Sequence, residues 1–396
     1  MNQKVVIVGG GTAGLSVGAM LLQAADPPQV TIIEPSDKHY YQPIWTLVGA
    51  GVFDKEFSER SEADYIPAGA TWIQEYVETF EPADNSLTLR DGQRLEYDVL
   101  VVAAGIQIDW DKVPGLKESV GKEGTGVCSN YTYQTVESTW NNLRELKKGV
   151  ALFTHSAGSI KCGGAPMKIA FLAADYLQKQ GLSNQVEVKY IKGGKKIFGV
   201  EKYIEPLNKV VDRYGIQVDY QRNLLRLHPE KKEAVFFNLE TEEEYIESYD
   251  MIHVTPYQSA PDFIKSSPLA NNEGWVEVDK FTTQHARFQN VFSLGDCSSL
   301  PTSKTGAAIR KQAPVTVANV QSYLAGTGSE ALYDGYTSCP LVTGFGKLIL
   351  AEFDYNNEPV ESFPFDQAKE RYSMYALKAY ALPQMYWNGM LQGRKF

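Results

Sequence analysis

Cysteine is scarce in this sequence. The chain has four cysteines in 396 residues, Cys128, Cys162, Cys297 and Cys339, and no two of them form a C-x-x-C pair. The absence of that pair argues against a zinc site, and we expect no metal. Four cysteines so far apart also exclude the dense disulfide framework of a small secreted domain. A catalytic role for one particular pair stays open.

Basic residues and histidines are also few. The 38 Lys and Arg are outnumbered by 48 Asp and Glu, and the net charge of −10 argues against a nucleic-acid partner. None of the five histidines lies in a pattern typical of a general base, so we expect structural roles for His39, His155 and His253. With 43% hydrophobic and 22% charged residues, the chain is long enough for two or three globular domains.

A stretch without charge covers residues 5–22. By itself it fits a membrane span or the core of a signal peptide, but its five glycines and two hydroxyl residues make it poorly hydrophobic. A dinucleotide-binding βαβ unit explains it better: a strand at residues 5–8, a small-residue helix, and a strand at residues 30–33 that ends on Glu34. Three glycines follow the first strand in G-x-G-x-x-G spacing: Gly9, Gly11 and Gly14.

Each part of this motif has a physical task. Gly9 allows a tight turn, Gly11 lets the backbone approach a pyrophosphate, and Gly14 lets the helix pack closely on the strand. The helix then points its free N–H groups and the positive end of its dipole at the phosphates. Glu34, twenty residues after Gly14, can accept a hydrogen bond from a ribose hydroxyl. The sequence therefore predicts a dinucleotide site.

Later segments extend this unit. Residues 71–98 alternate like an antiparallel β-meander, and a buried strand at residues 99–103 leads to Gly105. Another strand, at residues 291–294, leads into a Gly-Asp turn that contains Asp296. This order resembles the two-dinucleotide-fold flavoprotein reductases of the glutathione reductase type. The resemblance implies an α/β fold with two Rossmann-like dinucleotide-binding domains, to which the sequence adds an amphipathic C-terminal helical tail.

A second α/β unit is inserted into the first. The resemblance divides the chain into an FAD-binding domain at 1–115 and 246–330, a second Rossmann-like domain at 116–245, and a C-terminal segment at 331–396. The strand at residues 249–256 is expected to open the second part of the FAD domain. Nicotinamide-using relatives carry another G-x-G-x-x-G in the second domain, but the turn here reads THSAGSIKCGGAP. The phosphate loop is therefore missing from the second domain, and Cys162 stands in its neighbourhood. Without that loop, NADH is not expected as the electron donor.

Several blocks are more specific. HYYQPIWTLVGAG, KCGGAPMK, HVTP, GDCSSLPTSKT and YDGYTSCPLVTG together resemble the sulfide:quinone oxidoreductases, in collinear order from residue 5 to about residue 391. The resemblance implies oxidation of hydrogen sulfide to sulfane sulfur, as persulfide or polysulfide, with FAD as cofactor and ubiquinone or menaquinone as electron acceptor. It also implies a sulfur acceptor such as sulfite, glutathione or another thiol, and leaves a homo-oligomer open.

The same resemblance makes Cys162 and Cys339 the redox pair, joined by a disulfide or by a link that contains sulfane sulfur. Sulfide would attack this bridge, a thiolate would pass electrons to FAD, and FAD would reduce the quinone. Lysines flank Cys162 just before a helix start, a setting that lowers the pKa of a thiol. Cys128 falls where a three-cysteine branch has its extra thiol, although its surroundings resemble the two-cysteine branch. Cys297 is expected to pack in the core.

The resemblance also assigns residues to FAD. The loop and helix start in PTSKTGAAIRKQAP are expected to face the pyrimidine ring of the flavin, where N–H groups and the helix dipole would stabilise negative charge. Val77 is expected to contribute its backbone. The implied contacts are Gly9, Gly11, Thr12, Ala13, Gly14, Glu34, Gln42, Val77, Gly105, Asp296, Lys304, Thr305, Gly306 and Ala307.

The last 32 residues are basic and aromatic on an otherwise acidic protein, with five Lys or Arg, two Asp or Glu and seven aromatic residues. Pro383 is expected to break this tail into two short amphipathic pieces that cannot span a bilayer but could lie in its interface. A helix pair docked on the core or on another subunit fits the same pattern. The family resemblance favours a peripheral (monotopic) membrane protein on the cytoplasmic side. It places the quinone near Phe345, Tyr375 and Lys378.

Three other functions share part of these features. A type II NADH:quinone oxidoreductase has the FAD fold and an amphipathic tail, but it needs an intact second nucleotide loop and no cysteine pair. A soluble sulfide dehydrogenase would pass electrons to a cytochrome and would not need the tail. A non-catalytic sensor built on flavin and thiols would show bleaching of the flavin without turnover.

Overall fold

The structure is a computed structural model that describes residues 3–394. Its β-strands are β1 Lys4–Val8, β2 Gln29–Ile33, β3 Lys38–Tyr40, β4 Glu59–Ser61, β5 Thr71–Ile73, β6 Val77–Glu81, β7 Ser86–Leu89, β8 Arg94–Glu96, β9 Val99–Val102, β10 Gln107–Asp109, β11 Val127–Cys128, β12 Gly149–His155, β13 Val186–Lys192, β14 Gln217–Tyr220, β15 Arg222–His228, β16 Glu233–Asn238, β17 Glu243–Ser248, β18 Met251–His253, β19 Tyr257–Ser259, β20 Val291–Ser293, β21 Thr337–Gly344 and β22 Lys347–Phe353. Its α-helices are α1 Thr12–Leu22, α2 Trp45–Val48, α3 Val136–Glu145, α4 Ala165–Lys179, α5 Glu201–Tyr214, α6 Asp262–Lys265, α7 Gly306–Leu324, α8 Tyr372–Ala376 and α9 Leu382–Asn388.

A parallel sheet in the order β20–β9–β1–β2–β5 forms the first unit. β1 lies at its centre, with Val8 opposite Ile33 on one side and Val102 on the other. The predicted βαβ unit is confirmed. The membrane-span and signal-peptide interpretations of residues 5–22 are wrong, because those residues form most of a buried strand and a packed helix. Among residues 3–394, no helix is long and apolar enough to cross a membrane.

A second parallel sheet, in the order β11–β18–β12–β13–β14, forms the other unit. β12 and α4 lie on either side of the turn that the sequence places in the second α/β unit. β18 differs: expected in the FAD domain after residue 246, it pairs with β11 and β12 in the second sheet. Strands buried on both faces all read as short apolar runs, so the sequence of β18 does not say which sheet receives it. The following strand, β19, pairs antiparallel with β10.

The C-terminal segment contains the hairpin β21–β22 and a continuous helical segment at residues 372–388. The predicted break at Pro383 is wrong. A π-helical turn, Leu377–Ala381, ends two residues before the proline, and its wider spacing leaves room for the ring and the missing N–H.

The tail packs on the body of the protein. Five of the aromatic and methionine side chains expected at a membrane are buried instead, in the same apolar core as β1, α4 and β21: Met374, Tyr375, Tyr386, Trp387 and Met390. Tyr372 and Tyr380 are exposed, by 69% and 54%. The expected aromatic membrane face is therefore largely a docking face. Residues 395 and 396 of the predicted tail lie outside the described residues.

Candidate active site

The first βα turn, residues 9–11 between β1 and α1, is shaped by glycines. Gly9 has a φ of +106°, and an added Cβ would lie 2.5 Å from the carbonyl oxygen of Ala103. A Cβ on Gly14 would collide with the carbonyl oxygen of Gly9, so the helix packs directly on the turn. An added Cβ on Gly11 meets no atom within 4 Å. Gly11 therefore borders the open space in which a pyrophosphate would lie.

Glu34 supports this turn from the end of β2. Its Oε2 accepts a hydrogen bond of 2.8 Å from the N–H of Gly10, and its Oε1 accepts one of 2.8 Å from the N–H of Ser36. Burial raises the pKa of Glu34 against the effect of these two bonds. Each carboxylate oxygen keeps a lone pair for a ribose hydroxyl. The sequence pattern does not single out Gly10, although an added Cβ there would lie 2.5 Å from Glu62 Oε1.

Open space continues along the carboxyl ends of the first sheet. Gly105, after β9, has a φ of +71°, and an added Cβ would meet nothing within 4 Å. Ala13 packs against the Gly-Asp turn, since its Cβ would lie 3.4 Å from a Cβ added to Gly295. Burial raises the pKa of Asp296, and Lys304 Nζ donates to the carbonyl oxygen of Asp296 at 2.7 Å. Glycines that leave open space, next to a helix N-terminus, fit the approach of a dinucleotide such as FAD.

The remaining expected cofactor residues lie at a helix start and in an antiparallel sheet. Thr305 caps α7, where its side chain accepts from the N–H of Ala308 at 3.1 Å. Gly306 and Ala307 are the first residues of that helix, so no intrahelical bond uses their N–H groups. Val77 begins β6 in the sheet β6–β7–β8, and its side chain is buried.

Cys162 and Cys339 come together from distant parts of the chain. Cys162 lies in the loop at residues 156–164, just before α4, and Cys339 lies in β21. Their Sγ atoms are 3.7 Å apart and both thiols are free. An added Cβ on Gly164 would lie 2.7 Å from Cys339 Sγ, so a glycine there permits the approach. The pairing spans 177 residues, and no local pattern in the sequence reveals it.

A buried lysine, Lys168, lies beside this pair and helps to lower the pKa of Cys162. Its side chain is buried and its Nζ lies 3.0 Å from Cys162 Sγ. The hydrogen bond with Cys339, followed by the charge of Lys168, holds the pKa of Cys162 well below its usual range. The same bond, together with burial, raises the pKa of Cys339. Burial lowers the pKa of Lys168, but its contact with Cys162, helped by Cys339, raises that pKa by more. Because the Nζ of Lys168 contacts the sulfur of Cys162, Cys162 is the more acidic of the two thiols.

The cysteine loop is bonded to the loop expected beside the flavin. Cys162 has a φ of +54°, and its N–H donates to the carbonyl oxygen of Lys304 at 2.9 Å. Lys161 Nζ donates to Gln42 Oε1 at 2.6 Å, and burial lowers the pKa of Lys161 to about 8. One short segment thus joins the thiols to two residues expected around the cofactor.

The other cysteines stand apart from this pair. Cys128 and Cys297 are both buried, and burial raises the pKa of each, that of Cys128 to about 12. Cys128 Sγ lies 3.4 Å from the carbonyl oxygen of Ile252, on the neighbouring strand. Within residues 3–394, no group of three or more His, Cys, Asp or Glu side chains is placed to hold a metal ion.

The residues expected near the quinone are only partly brought together. Lys378 is buried, its Nζ donates to the carbonyl oxygen of Pro43 at 2.9 Å, and burial lowers its pKa to about 7. The charges of the two cysteines act on Lys378 in the opposite direction. Tyr375 is buried one turn earlier on the same segment. Phe345 lies at the β21–β22 turn, with Lys179 Nζ 4.6 Å from the centre of its ring.

Known proteins share this whole architecture. The family model of the pyridine nucleotide-disulphide oxidoreductases matches residues 3–319. A Dictyostelium discoideum protein named mitochondrial sulfide:quinone oxidoreductase is 48% identical over 396 residues, which cover 99% of this chain and 87% of the relative. The chain belongs to the sulfide:quinone oxidoreductases. As a member of that family it is a flavoprotein oxidoreductase, and the resemblance noted in the sequence is confirmed.

A second curated relative supports the assignment, and a solved structure supports the fold. The mitochondrial enzyme of Mus musculus is 44% identical over 393 residues, which cover 99% of this chain and 87% of that enzyme. The solved sulfide:quinone oxidoreductase of Aquifex aeolicus superposes with a TM-score of 0.86 over 99% of this chain and 92% of that one. At 18% identity this likeness shows the fold alone, and it confirms the predicted two-dinucleotide-domain architecture.

Proposed function

We propose that this chain oxidises hydrogen sulfide at Cys162 and Cys339 and passes the electrons through FAD to ubiquinone or menaquinone. One observation carries the proposal: two sulfurs lie 3.7 Å apart, with Lys168 Nζ 3.0 Å from one of them, on a segment bonded to Lys304. Family membership supports the same substrates, since the relatives are named for sulfide and quinone.

The first step opens a bridge between the cysteines. In the oxidised enzyme that bridge is a Cys162–Cys339 disulfide, or the same link lengthened by sulfane sulfur. Hydrosulfide attacks the sulfur of Cys339, a new S–S bond forms there as a persulfide, and the electron pair of the broken bond stays on Cys162. Lys168 stabilises the resulting thiolate. Because a sulfur of lower pKa leaves faster, this charge directs the attack to Cys339.

The outer sulfur then leaves Cys339. A nucleophile such as sulfite, glutathione or another thiol attacks that sulfur and forms a bond with it. The S–S bond to Cys339 breaks, and Cys339 is left as a thiolate or thiol. Closing the bridge again removes two electrons from the two cysteines and releases any remaining thiol proton. FAD, when bound, supplies the acceptor for this electron pair and passes it to the quinone. The N–H and carbonyl groups of Cys162 and Lys304 hold the two loops together meanwhile.

The tail is the part that would meet the lipid phase, in which quinones dissolve. Tyr372 and Tyr380 are exposed on the helical segment, and exposed tyrosines suit the boundary between lipid headgroups and acyl chains. Lys378 lies beneath them, where the charges of the cysteines reach it. The proposal therefore includes a peripheral contact with a membrane surface, and a quinone path along Phe345, Tyr375 and Lys378.

An anaerobic titration tests the proposed function. Sulfide is added to the flavin-loaded protein together with sulfite as the sulfur acceptor, followed by decylubiquinone, with NADH as the competing donor in a parallel sample. We expect sulfide to bleach the flavin or to raise a long-wavelength band, and quinone to restore the oxidised spectrum over many turnovers. Reduction by NADH and not by sulfide would overturn the proposal in favour of a type II NADH:quinone oxidoreductase. Reduction by sulfide without quinone turnover would instead favour a redox sensor.

A further inference from the structure

The helical segment of the tail returns to the first βα turn. Tyr386, in α9, is buried, and its hydroxyl oxygen lies 2.8 Å from Thr12 Oγ1. Thr12 is the first residue of α1 and follows Gly11, the glycine that borders the open space. Two residues 374 positions apart in the chain thus meet at the expected cofactor site.

Tyr386 is the middle of a longer chain of hydrogen bonds. Its hydroxyl oxygen lies 2.5 Å from His39 Nε2, and His39 Nδ1 lies 2.9 Å from Glu62 Oε2. The side chains of His39 and Glu62 are only 3% and 1% exposed. We assign the proton of His39 to Nδ1, so that it donates to Glu62 Oε2. Its Nε2 then accepts from Tyr386, whose oxygen accepts from Thr12.

Glu62 contacts the same turn from the other side. An added Cβ on Gly10 would lie 2.5 Å from Glu62 Oε1 and 2.7 Å from Glu34 Cβ. Glu34 in turn holds the N–H of Gly10 at 2.8 Å. Glu62 Oε1 is buried and has no hydrogen-bond partner within the described part of the chain. The two ends of the hydrogen-bond chain, at Thr12 and at Glu62, therefore lie against one turn.

Aromatic rings hold the tail in this position. The ring of Trp387 lies 4.9 Å from that of Tyr65 and 5.5 Å from that of His39, and the rings of Tyr41 and Tyr386 are 4.7 Å apart. These rings keep solvent from the hydrogen bonds. Without the Tyr386 hydroxyl, the Nε2 atom of His39 would have no hydrogen-bond donor in a buried site, which is unfavourable.

We infer that the tail is a positioning element of the FAD site. The hydrogen-bond chain Thr12–Tyr386–His39–Glu62 holds the first βα turn in its binding geometry, so docking of α9 and retention of FAD are coupled. This inference rests on the FAD site of the proposed function. Coupling between two equilibria is reciprocal, so bound FAD protects the docked tail and the docked tail tightens the binding of FAD.

Tyr386→Phe tests the coupling, because it removes the hydroxyl and keeps the ring. Tyr380→Phe, the same change at an exposed position of the same segment, is the matched control. FAD-free protein is titrated with FAD and followed by flavin absorbance and fluorescence. We expect a Kd roughly 10-fold higher for Tyr386→Phe and an unchanged Kd for Tyr380→Phe. Equal affinities in the two variants overturn the inference.

Hydrogen exchange of the unsubstituted protein gives a second, independent readout. With FAD, the amides of α9 are expected to exchange more slowly than without it, and equal exchange in both states overturns the inference. Neither measurement uses sulfide. A protein that binds FAD and is not reduced by sulfide contradicts the proposed function alone. Unchanged FAD affinity in Tyr386→Phe with normal sulfide turnover contradicts the coupling alone.

Discussion

In the first unit, residues 9–11 separate β1 from α1, whereas in the second unit residues 156–164 separate β12 from α4. The first turn is tight, and a Cβ on Gly9 or Gly14 would meet backbone atoms. The second loop is longer, carries Cys162, and leaves open space around Gly163.

The difference between the two turns shows how one topology serves two chemistries. In both units a parallel strand delivers the chain to a helix N-terminus, where free N–H groups and the dipole favour an anion. At the first turn that anion would be the pyrophosphate of a cofactor. At the second turn the loop before the helix carries Cys162, whose pKa is lowered chiefly by the hydrogen bond with Cys339 and by the charge of Lys168 rather than by the helix. A cysteine thus stands where the sequence comparison with nicotinamide-using flavoproteins leads us to expect a phosphate loop.

The largest effect should follow from removing either cysteine of the proposed redox pair. Cys162→Ser and Cys339→Ser are each expected to lower kcat by about 1000-fold or more, because serine cannot form the S–S bond. Sulfide-dependent reduction of decylubiquinone measures this. Cys128→Ser, at a buried cysteine outside the pair, is the matched control and should keep its activity per bound FAD. If Cys128→Ser loses as much as the other two variants, a third cysteine takes part.

Alanine substitution of one glycine in each turn tests whether the two turns are packed differently. Gly14→Ala places a Cβ against the carbonyl oxygen of Gly9 and should destabilise the protein by about 3 kcal/mol or more, with loss of FAD. Gly163→Ala enters open space at an ordinary φ and should change stability by less than about 0.5 kcal/mol. Urea unfolding and FAD content measure both. Similar costs at the two positions would contradict the described difference between the turns.

Lys168→Met should slow the reaction at the two cysteines and shift the pH profile of the activity. Without the lysine charge the pKa of Cys162 rises, so at pH 7 less thiolate is present and the activity should fall roughly 30-fold, the equivalent of ~2 kcal/mol for a charge-assisted hydrogen bond. Activity should recover as the pH rises through the higher pKa. Lys179→Met, on the exposed face of the same helix, should leave the profile unchanged. A uniform loss at every pH would show that Lys168 acts through packing rather than charge.

The smallest expected effect is on membrane binding by the tail, which lies outside both turns. Tyr372→Ser and Tyr380→Ser together should weaken binding to quinone-containing vesicles roughly 5-fold, because two exposed rings leave the interface. Turnover with a water-soluble quinone should not change. Tyr76→Ser, at an exposed tyrosine of the first unit, is the control for co-sedimentation with vesicles. An equal loss in the control would mean that the tail is not the contact surface.

The first turn could be predicted from sequence because its determinants are local. The strand, the three spaced glycines and Glu34 lie within one short stretch, and each follows from a stereochemical requirement. Gly10 escaped notice because the constraint on it comes from Glu62, a residue outside that stretch.

The second turn and the tail depend on contacts between distant residues. Cys162 and Cys339 were paired by family resemblance alone, since no local rule joins positions 177 residues apart. An aromatic stripe is the same whether it faces lipid or core, so the sequence leaves both alternatives open, and only the structure shows that Tyr386 and Trp387 are buried. The π-helical turn before Pro383 likewise depends on packing that the sequence does not display.

Trapping the sulfur on its cysteine tests the chemistry of the second turn most directly. One equivalent of sulfide is added anaerobically to the oxidised protein without a sulfur acceptor, followed at once by alkylation and peptide mass analysis. We predict one extra sulfur on Cys339 and an alkylated thiol at Cys162. An extra sulfur on Cys162, or on neither cysteine, would contradict the assignment of Cys162 as the stabilised thiolate.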